Sequence, residues 1–356
     1  MDIPVELIRA LPKTDLHCHL DGSLRLSTLW DLAVARGVEL GVGSLEELRT
    51  RLTPKQGADL GAYIETFEST LSVMQDEEAL RRISYELVED VAAENVRYLE
   101  VRYSPILHLR NGLTVERVVE AVIEGLRKGR RDFGVVSGVI ICGIRTNTLE
   151  TSLLLAKLAI AYKHLGVVGF DLAGEEKDYP AKEHLKAFQL ILKNNVNVTV
   201  HAGEAFGPDS IHQALHYCGA HRIGHGTRLR ENPDLLEYVN DHRIPLEMCI
   251  TSNVQTGSIS SLSDHPFKDY FDRELRVTIN TDNRLISNTT VSDELALACK
   301  TFELSIYDLR KILINGFKSA FVRHEKKKEM LRAAIEEMDP LFERHYPQYQ
   351  RMRTFL

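Results

Sequence analysis

The chain has 356 residues, 44% of them hydrophobic and 27% charged, which is ample for a large buried core and carries no signature of disorder. Its 44 lysines and arginines stand against 51 aspartates and glutamates, a formal net charge of -7, which speaks against a nucleic-acid partner because phosphate binding needs a concentrated positive face. The length fits either one α/β barrel or two smaller domains.

Between Met1 and Pro12 there is no basic segment followed by an apolar stretch, and no uninterrupted apolar run reaches membrane-spanning length. Five cysteines (Cys18, Cys142, Cys218, Cys249 and Cys299), an odd number without close pairing, suit a reducing compartment. The expectation is a cytoplasmic protein without a membrane partner.

The first apolar run is Thr14–Gly22. Roughly 75 residues separate it from the second, too many for one crossover helix, so an inserted helical segment is expected after the first strand. Within it Leu60, Tyr63, Ile64, Phe67, Leu71 and Met74 form an apolar face at helical spacing, either core packing or part of a lid that touches ligand. Seven further runs follow: Val96–Pro105, Val136–Arg145, Val167–Glu176, Val196–Glu204, Arg222–Leu229, Ile244–Asn253 and Arg276–Asn283. Helical spacing appears at Val115–Arg130, Leu149–Leu165, Ala181–Lys193, Ser210–Tyr217, Asn232–Asp241 and Val291–Phe302, and the tail from Ser305 reads as further helices outside the barrel. This βα alternation predicts a parallel sheet. The basic cluster Arg323 to Lys328 reads as a solvated helix face, and no repeat, Pro-rich linker or low-complexity tract divides the chain.

Titratable and polar residues gather where the runs end: His17, His19, Asp21, Asp171, Glu175, His201, Glu204, His225, Ser252, Asn253, Asp282 and Asn283. A closed barrel puts all those ends on one rim, whereas an open sheet would use only those at a switch point. The fold expected is a TIM (β/α)8 barrel, a single domain over residues 1–356, with extra helices after strand 1 and at the C-terminus.

In a strand His17 and His19 face the same side, about 7 Å apart along the backbone. Alone the pattern is weak, since 14 histidines in this length give roughly half an H-x-H match by chance. His201, His225 and Asp282 also close predicted strands. Imidazoles with a carboxylate suit a first-row divalent ion, most often zinc with an open water position, although the spacing is equally compatible with iron, cobalt or manganese. A single histidine would read as a hydrogen-bonded core residue. Four at strand ends plus Asp282 would be a costly way to build a core.

Together Leu16-His17-Cys18-His19-Leu20-Asp21-Gly22, His201-Ala202-Gly203-Glu204, Gly224-His225-Gly226 and Asn280-Thr281-Asp282 resemble the motifs of the adenosine deaminase family, in the family's order and across the whole chain. Asp171-Leu172-Ala173-Gly174-Glu175 is similar to its fourth-strand segment. The resemblance implies that His17, His19, His201 and Asp282 hold one Zn2+ per chain. It implies Glu204 as the proton shuttle at purine N1, His225 facing the water at the metal, Asp21 contacting a ribose hydroxyl, and Gly174 a backbone contact to the purine. A metal lowers the pKa of its water toward neutrality, while the acid at Glu204 must be protonated near pH 7, so a raised pKa from a dehydrated pocket is expected.

One position departs from the pattern: a second acid usually follows the ligand aspartate, but here Asn283 does. Its amide carries N–H donors permanently and suits the purine N7 acceptor; a turn role is the alternative. Ser252 and Asn253 are read as closing the seventh strand, lining the pocket or forming a turn. The expected reaction is hydrolytic deamination of adenosine or 2′-deoxyadenosine, small purine nucleosides. Free adenine, 5′-modified adenosine, an amide or phosphoester, and a silent nucleoside-binding barrel are the alternatives. No strand-end lysine suited to a two-metal site, cytidine-deaminase signature, G-x-S-x-G elbow or phosphate-binding loop is present.

Overall fold

Each predicted apolar run contains a β-strand in the computed structural model, which describes residues 3–53 and 66–351. The strands are β1 Lys13–His19, β2 Val96–Tyr103, β3 Val136–Ile144, β4 Val167–Ala173, β5 Asn197–Ala202, β6 Arg222–His225, β7 Leu246–Met248 and β8 Val277–Ile279. They lie in sequence order, each parallel to the next. The ring is drawn together beyond β8: Cys18 bridges Asp282 in parallel, His19 donates its N–H to the Asp282 carbonyl (2.7 Å), and Asp282 donates to that of His17 (2.8 Å). The seam of the (β/α)8 barrel therefore runs through three of the expected metal ligands.

The helices between strands follow the apolar spacing and stop where local chemistry stops them. Val115–Phe133 starts at Thr114, whose side chain accepts the Arg117 N–H, and ends at Gly134 in the left-handed region (φ 78°). Asn232, Thr290 and Ser305 cap Pro233–Asp241, Val291–Thr301 and Ile306–Ser319 in the same manner, each cap being worth about 1 kcal/mol. Three elements differ from expectation. Ala181–Lys193 divides into a 3-10 turn, Ala181–His184, and a helix, Leu185–Lys193. The helix from Leu149 ends at Ala161. The seventh run leaves the sheet at Met248 and becomes the helix Ile250–Gln255, so Ser252 and Asn253 sit on a helical turn and do not close a strand. Burial of both faces of a parallel strand and of a short core helix gives the same apolar run, which is why sequence does not separate them here.

The segment after β1 is helical: Leu26–Arg36, Leu45–Leu52, Phe67–Val73 and Glu77–Ala93. Of its apolar face, Leu71 and Met74 are buried in the core, Phe67 is half-buried, and Leu60, Tyr63 and Ile64 lie outside the described residues. At the C-terminal end, Ile306–Ser319 packs on β8 and β1 across the seam, followed by His324–His345, whose first turn pairs Lys326 with Glu329 and Lys328 with Glu325. Among the described residues no helix is long and apolar enough to cross a membrane.

Candidate active site

The strand period sends His17 and His19 into the mouth of the barrel from β1, and β5 delivers His201 opposite them. His17 Nε2 lies 3.0 Å from His201 Nε2, and His19 Nε2 lies 3.1 Å from it. Asp282 Oδ1 is 3.5 Å from both His17 Nε2 and His19 Nε2. All four donor atoms fall within 4.8 Å of one another. Asp282 reaches this position with φ 60° and His225 its own with φ 61°, left-handed backbones that cost non-glycine residues of order 1–3 kcal/mol and aim both side chains inward.

The hydrogen-bond roles show that the donor set fits a cation. His17 Nδ1 lies 2.9 Å from Glu247 Oε2, and His201 Nδ1 lies 3.2 Å from Asp171 Oδ1. A carboxylate only accepts, so each Nδ1 carries the ring proton and each Nε2 presents a lone pair. Two such nitrogens 3.0 Å apart with a carboxylate oxygen beside them are held together by a shared positive charge, a proton or a metal ion. Zinc fits three imidazoles and one carboxylate.

Beneath the ligands the barrel is filled with charge in place of the usual branched aliphatics. Buried Arg102 on β2 donates one guanidinium nitrogen to Asp171 (2.8 Å), the other to Glu247 (2.8 Å), and also to the Leu16 carbonyl. Glu247 Oε1 accepts from Arg222 (2.5 Å) and Thr199 (2.9 Å), and Arg222 reaches on to Glu100. Burial alone would raise Glu247, but Arg102 and Arg222 outweigh it and hold the carboxyl well below its ordinary range. Asp171 is lowered likewise, burial being overcome by His201 and Arg102. Both remain anions able to orient the imidazoles.

Glu204 stands just past β5 with Oε2 3.4 Å from His225 Nε2 and Oε1 accepting from Thr256 Oγ1 (3.2 Å). Burial raises its pKa, with His225 pulling the other way. A directed chain orients His225. The Phe267 N–H donates to His265 Nδ1 (3.2 Å), His265 Nε2 to Asn253 Oδ1 (3.2 Å), and Asn253 Nδ2 to His225 Nδ1 (3.0 Å). His225 thus keeps its proton on Nε2, toward Glu204. Ser252 Oγ donates to Asp282 Oδ2 at 2.6 Å.

Asp21 lies close by, buried, with burial pushing its carboxyl up to about 7; its Oδ1 has no hydrogen-bond partner and is 3.9 Å from His19 Nδ1. Gly174 ends β4 in the left-handed region (φ 94°). Asn283 is buried with its side chain over Gly22, where a Cβ would fall 1.9 Å from Asn283 Oδ1, and its carbonyl accepts the Ser287 N–H (2.8 Å). Of the two glutamates after β4, Glu175 is exposed, whereas Glu176 turns inward. Sequence reasoning missed Arg102, Glu247, Glu176, Thr256 and His265. The available signal was charge within apolar strands, as in Tyr98-Leu99-Glu100-Val101-Arg102, which requires buried partners.

A parallel barrel with three imidazoles, a carboxylate and a buried glutamic acid gathered at its carboxyl rim defines a hydrolase built around a metal position. The particular family follows from comparison: the model described as "Adenosine deaminase" matches residues 12–337, and the chain belongs to the adenosine deaminase family. A relative named adenosine deaminase from Mycobacterium marinum is 41% identical, covering 94% of this chain and 97% of its own. Among solved structures, the adenine deaminase of Arthrobacter aurescens superposes with a TM-score of 0.86 at 27% identity, covering 92% of this chain and 99% of its own. The Arabidopsis protein ADAL complexed with IMP gives 0.85 at 31%, covering 94% and 99%.

Proposed function

We propose that the protein converts adenosine and 2′-deoxyadenosine with water to inosine and 2′-deoxyinosine plus ammonia, as a single domain over residues 1–356. His17, His19, His201 and Asp282 hold one Zn2+; the observation that carries this is the convergence of their donor atoms within 4.8 Å of one another, with the Nε2 atoms of His17 and His19 3.0 and 3.1 Å from that of His201. When bound, the ion supplies Lewis-acid activation of water.

The chain's own residues do the rest. Addition of water at C6 pushes electron density into the purine ring, which Glu204 relieves by giving its proton to N1; of the two protons that water gives up as its oxygen becomes the C6 carbonyl, one leaves on the amine as ammonia and the other restores the Glu204 acid. Burial of Glu204 favours the protonated acid this step requires. His225 holds Nε2–H toward the attacking water, and Asp282, tied by Ser252, orients it. Asn283 offers its amide to N7 and Gly174 its backbone to the purine edge. Asp21 Oδ1, buried and lacking a partner, suits a ribose hydroxyl. Adenine has no such hydroxyl, and a 5′-phosphate would add negative charge beside Asp21, so the free nucleoside is favoured over the adenine named for the Arthrobacter protein and over a 5′-nucleotide such as the IMP bound to the Arabidopsis protein. The buried free cysteines suit a reducing cytoplasm, and the acidic balance suits a small-molecule partner with neither nucleic acid nor membrane.

Incubating purified protein with adenosine, adenine and 5′-modified adenosines, with and without chelator, and following ammonia release and the ultraviolet change tests the proposal. Chelator-sensitive turnover fastest with adenosine is expected. No turnover of any aminopurine in a metal-loaded sample would leave only a nucleoside-binding barrel.

A further inference from the structure

The loop that carries Glu204 leaves β5 as Ala202-Gly203-Glu204-Ala205-Phe206 and enters the helix Pro208–His216. Four consecutive peptide N–H groups of this loop point at one side chain. Glu176 Oε1 accepts from Gly203 (2.5 Å), and Oε2 accepts from Glu204 (3.0 Å), Ala205 (2.6 Å) and Phe206 (2.9 Å). Glu176 is 5% exposed, so these bonds are made with little competing water. A concave run of backbone N–H groups is an anion site, and charge-assisted bonds to it are roughly twice as strong as neutral ones.

The other edge of the loop is held as well. Gly203 takes a left-handed backbone (φ 69°), and a Cβ there would fall 2.5 Å from Ile211 Cδ1, so the chain turns where only glycine fits. Its carbonyl accepts from Thr227 Oγ1 (2.7 Å) and the Arg228 N–H (3.1 Å). Arg145 donates to the His201 carbonyl (2.7 Å) and, with its other nitrogen, to that of Tyr179 (2.8 Å), which ties the loop after β4 to the end of β5. Within this frame Glu176 is the group that grips the peptide of Glu204 itself.

We propose that Glu176 is the positioning residue for the reaction: by clamping four consecutive peptides it fixes where the Glu204 carboxyl stands relative to the purine ring. This rests on the reading of Glu204 as the proton donor. Both carboxyl oxygens of Glu176 are taken up by these peptide N–H groups, so it acts through the backbone. Proton transfer needs heavy atoms at hydrogen-bond distance, and a displacement near 1 Å costs on the order of 100-fold in rate. A glutamine in its place has the same shape but only one accepting oxygen, and its NH2 would face the peptide donors.

The experiment compares Glu176→Gln, Glu176→Asp and Glu204→Gln with the parent protein for kcat and KM on adenosine, metal content and thermal midpoint. Glu176→Gln is expected to lose on the order of 100-fold in kcat while KM changes by less than about threefold and metal content stays at the parental level. Glu176→Asp, which keeps the carboxylate, recovers part of the loss. A Glu176→Gln protein within about twofold of the parental kcat overturns the proposal, as does a loss that merely follows missing metal or missing folded protein. If Glu204→Gln turns over at the parental rate, it is the reading of Glu204 that fails, and the role of Glu176 falls with it.

Discussion

Asn253 Nδ2 lies 3.0 Å from His225 Nδ1, and that contact decides which nitrogen of His225 faces the substrate. Because Asn253 Oδ1 is taken by His265 Nε2, the amide can only donate to His225. Asn253→Ala should therefore lose roughly tenfold in kcat by freeing the ring. Asn253→Asp should lose more, on the order of 100-fold, because a carboxylate would draw the proton to Nδ1 and leave a lone pair toward Glu204. Steady-state kinetics with metal content in parallel decide this; equal rates for the two variants would mean the tautomer is irrelevant.

Glu204→Gln keeps the shape of the side chain and removes its exchangeable acid proton. Turnover should fall by about 10²- to 10⁴-fold with the metal content of the parent. Stoichiometric metal alongside an unchanged rate would exclude Glu204 from the chemistry.

Arg102 bridges the two carboxylates that orient His17 and His201, so Arg102→Met leaves Asp171 and Glu247 short of their shared counter-ion in a fully buried site. A destabilisation of about 3–5 kcal/mol and a 10- to 100-fold weaker metal affinity are expected, read by urea denaturation and competition with a chelator. Arg102→Lys should rescue little, since one ammonium does not reproduce the two-pronged contact.

Glu294 provides a pH prediction away from the chemistry. It is buried, accepts from the Thr251 N–H (3.1 Å) and Thr289 Oγ1 (2.9 Å), and burial pushes it up to about 7. Between its ordinary value of 4.5 and about 7 the folded state binds more protons than the unfolded one, so this group's contribution is full below 4.5 and is lost as pH rises through 7. The loss is on the order of 3 kcal/mol. Urea denaturation at pH 5 and pH 8 should show that fall in the parent and a flatter profile in Glu294→Gln.

Asn283→Ala should raise KM for adenosine more than it lowers metal content, because the side chain sits over Gly22 at the seam and holds no ligand. Parallel loss of metal and affinity would make it a residue of the turn that Ser287 closes.

What sequence alone determined is what strand periodicity and chain order dictate. His17 and His19 two apart, His201 and Glu204 at the end of β5, His225 at the end of β6 and Asp282 beyond β8 could be assigned to one rim because a parallel barrel has only one carboxyl face. Tertiary structure alone decided which distant charges meet. Arg102 and Glu247 are 145 residues apart, and Glu176 grips peptides 27 to 30 residues further on. His265 reaches the site only because the chain after Met248 turns into a helix and brings Asn253 between them. Local periodicity records which face a residue occupies. The partner of a buried charge depends on which strands and loops adjoin once the ring has closed, and in a low-dielectric interior that partner sets whether the group is an acid, an anion or a fixed donor.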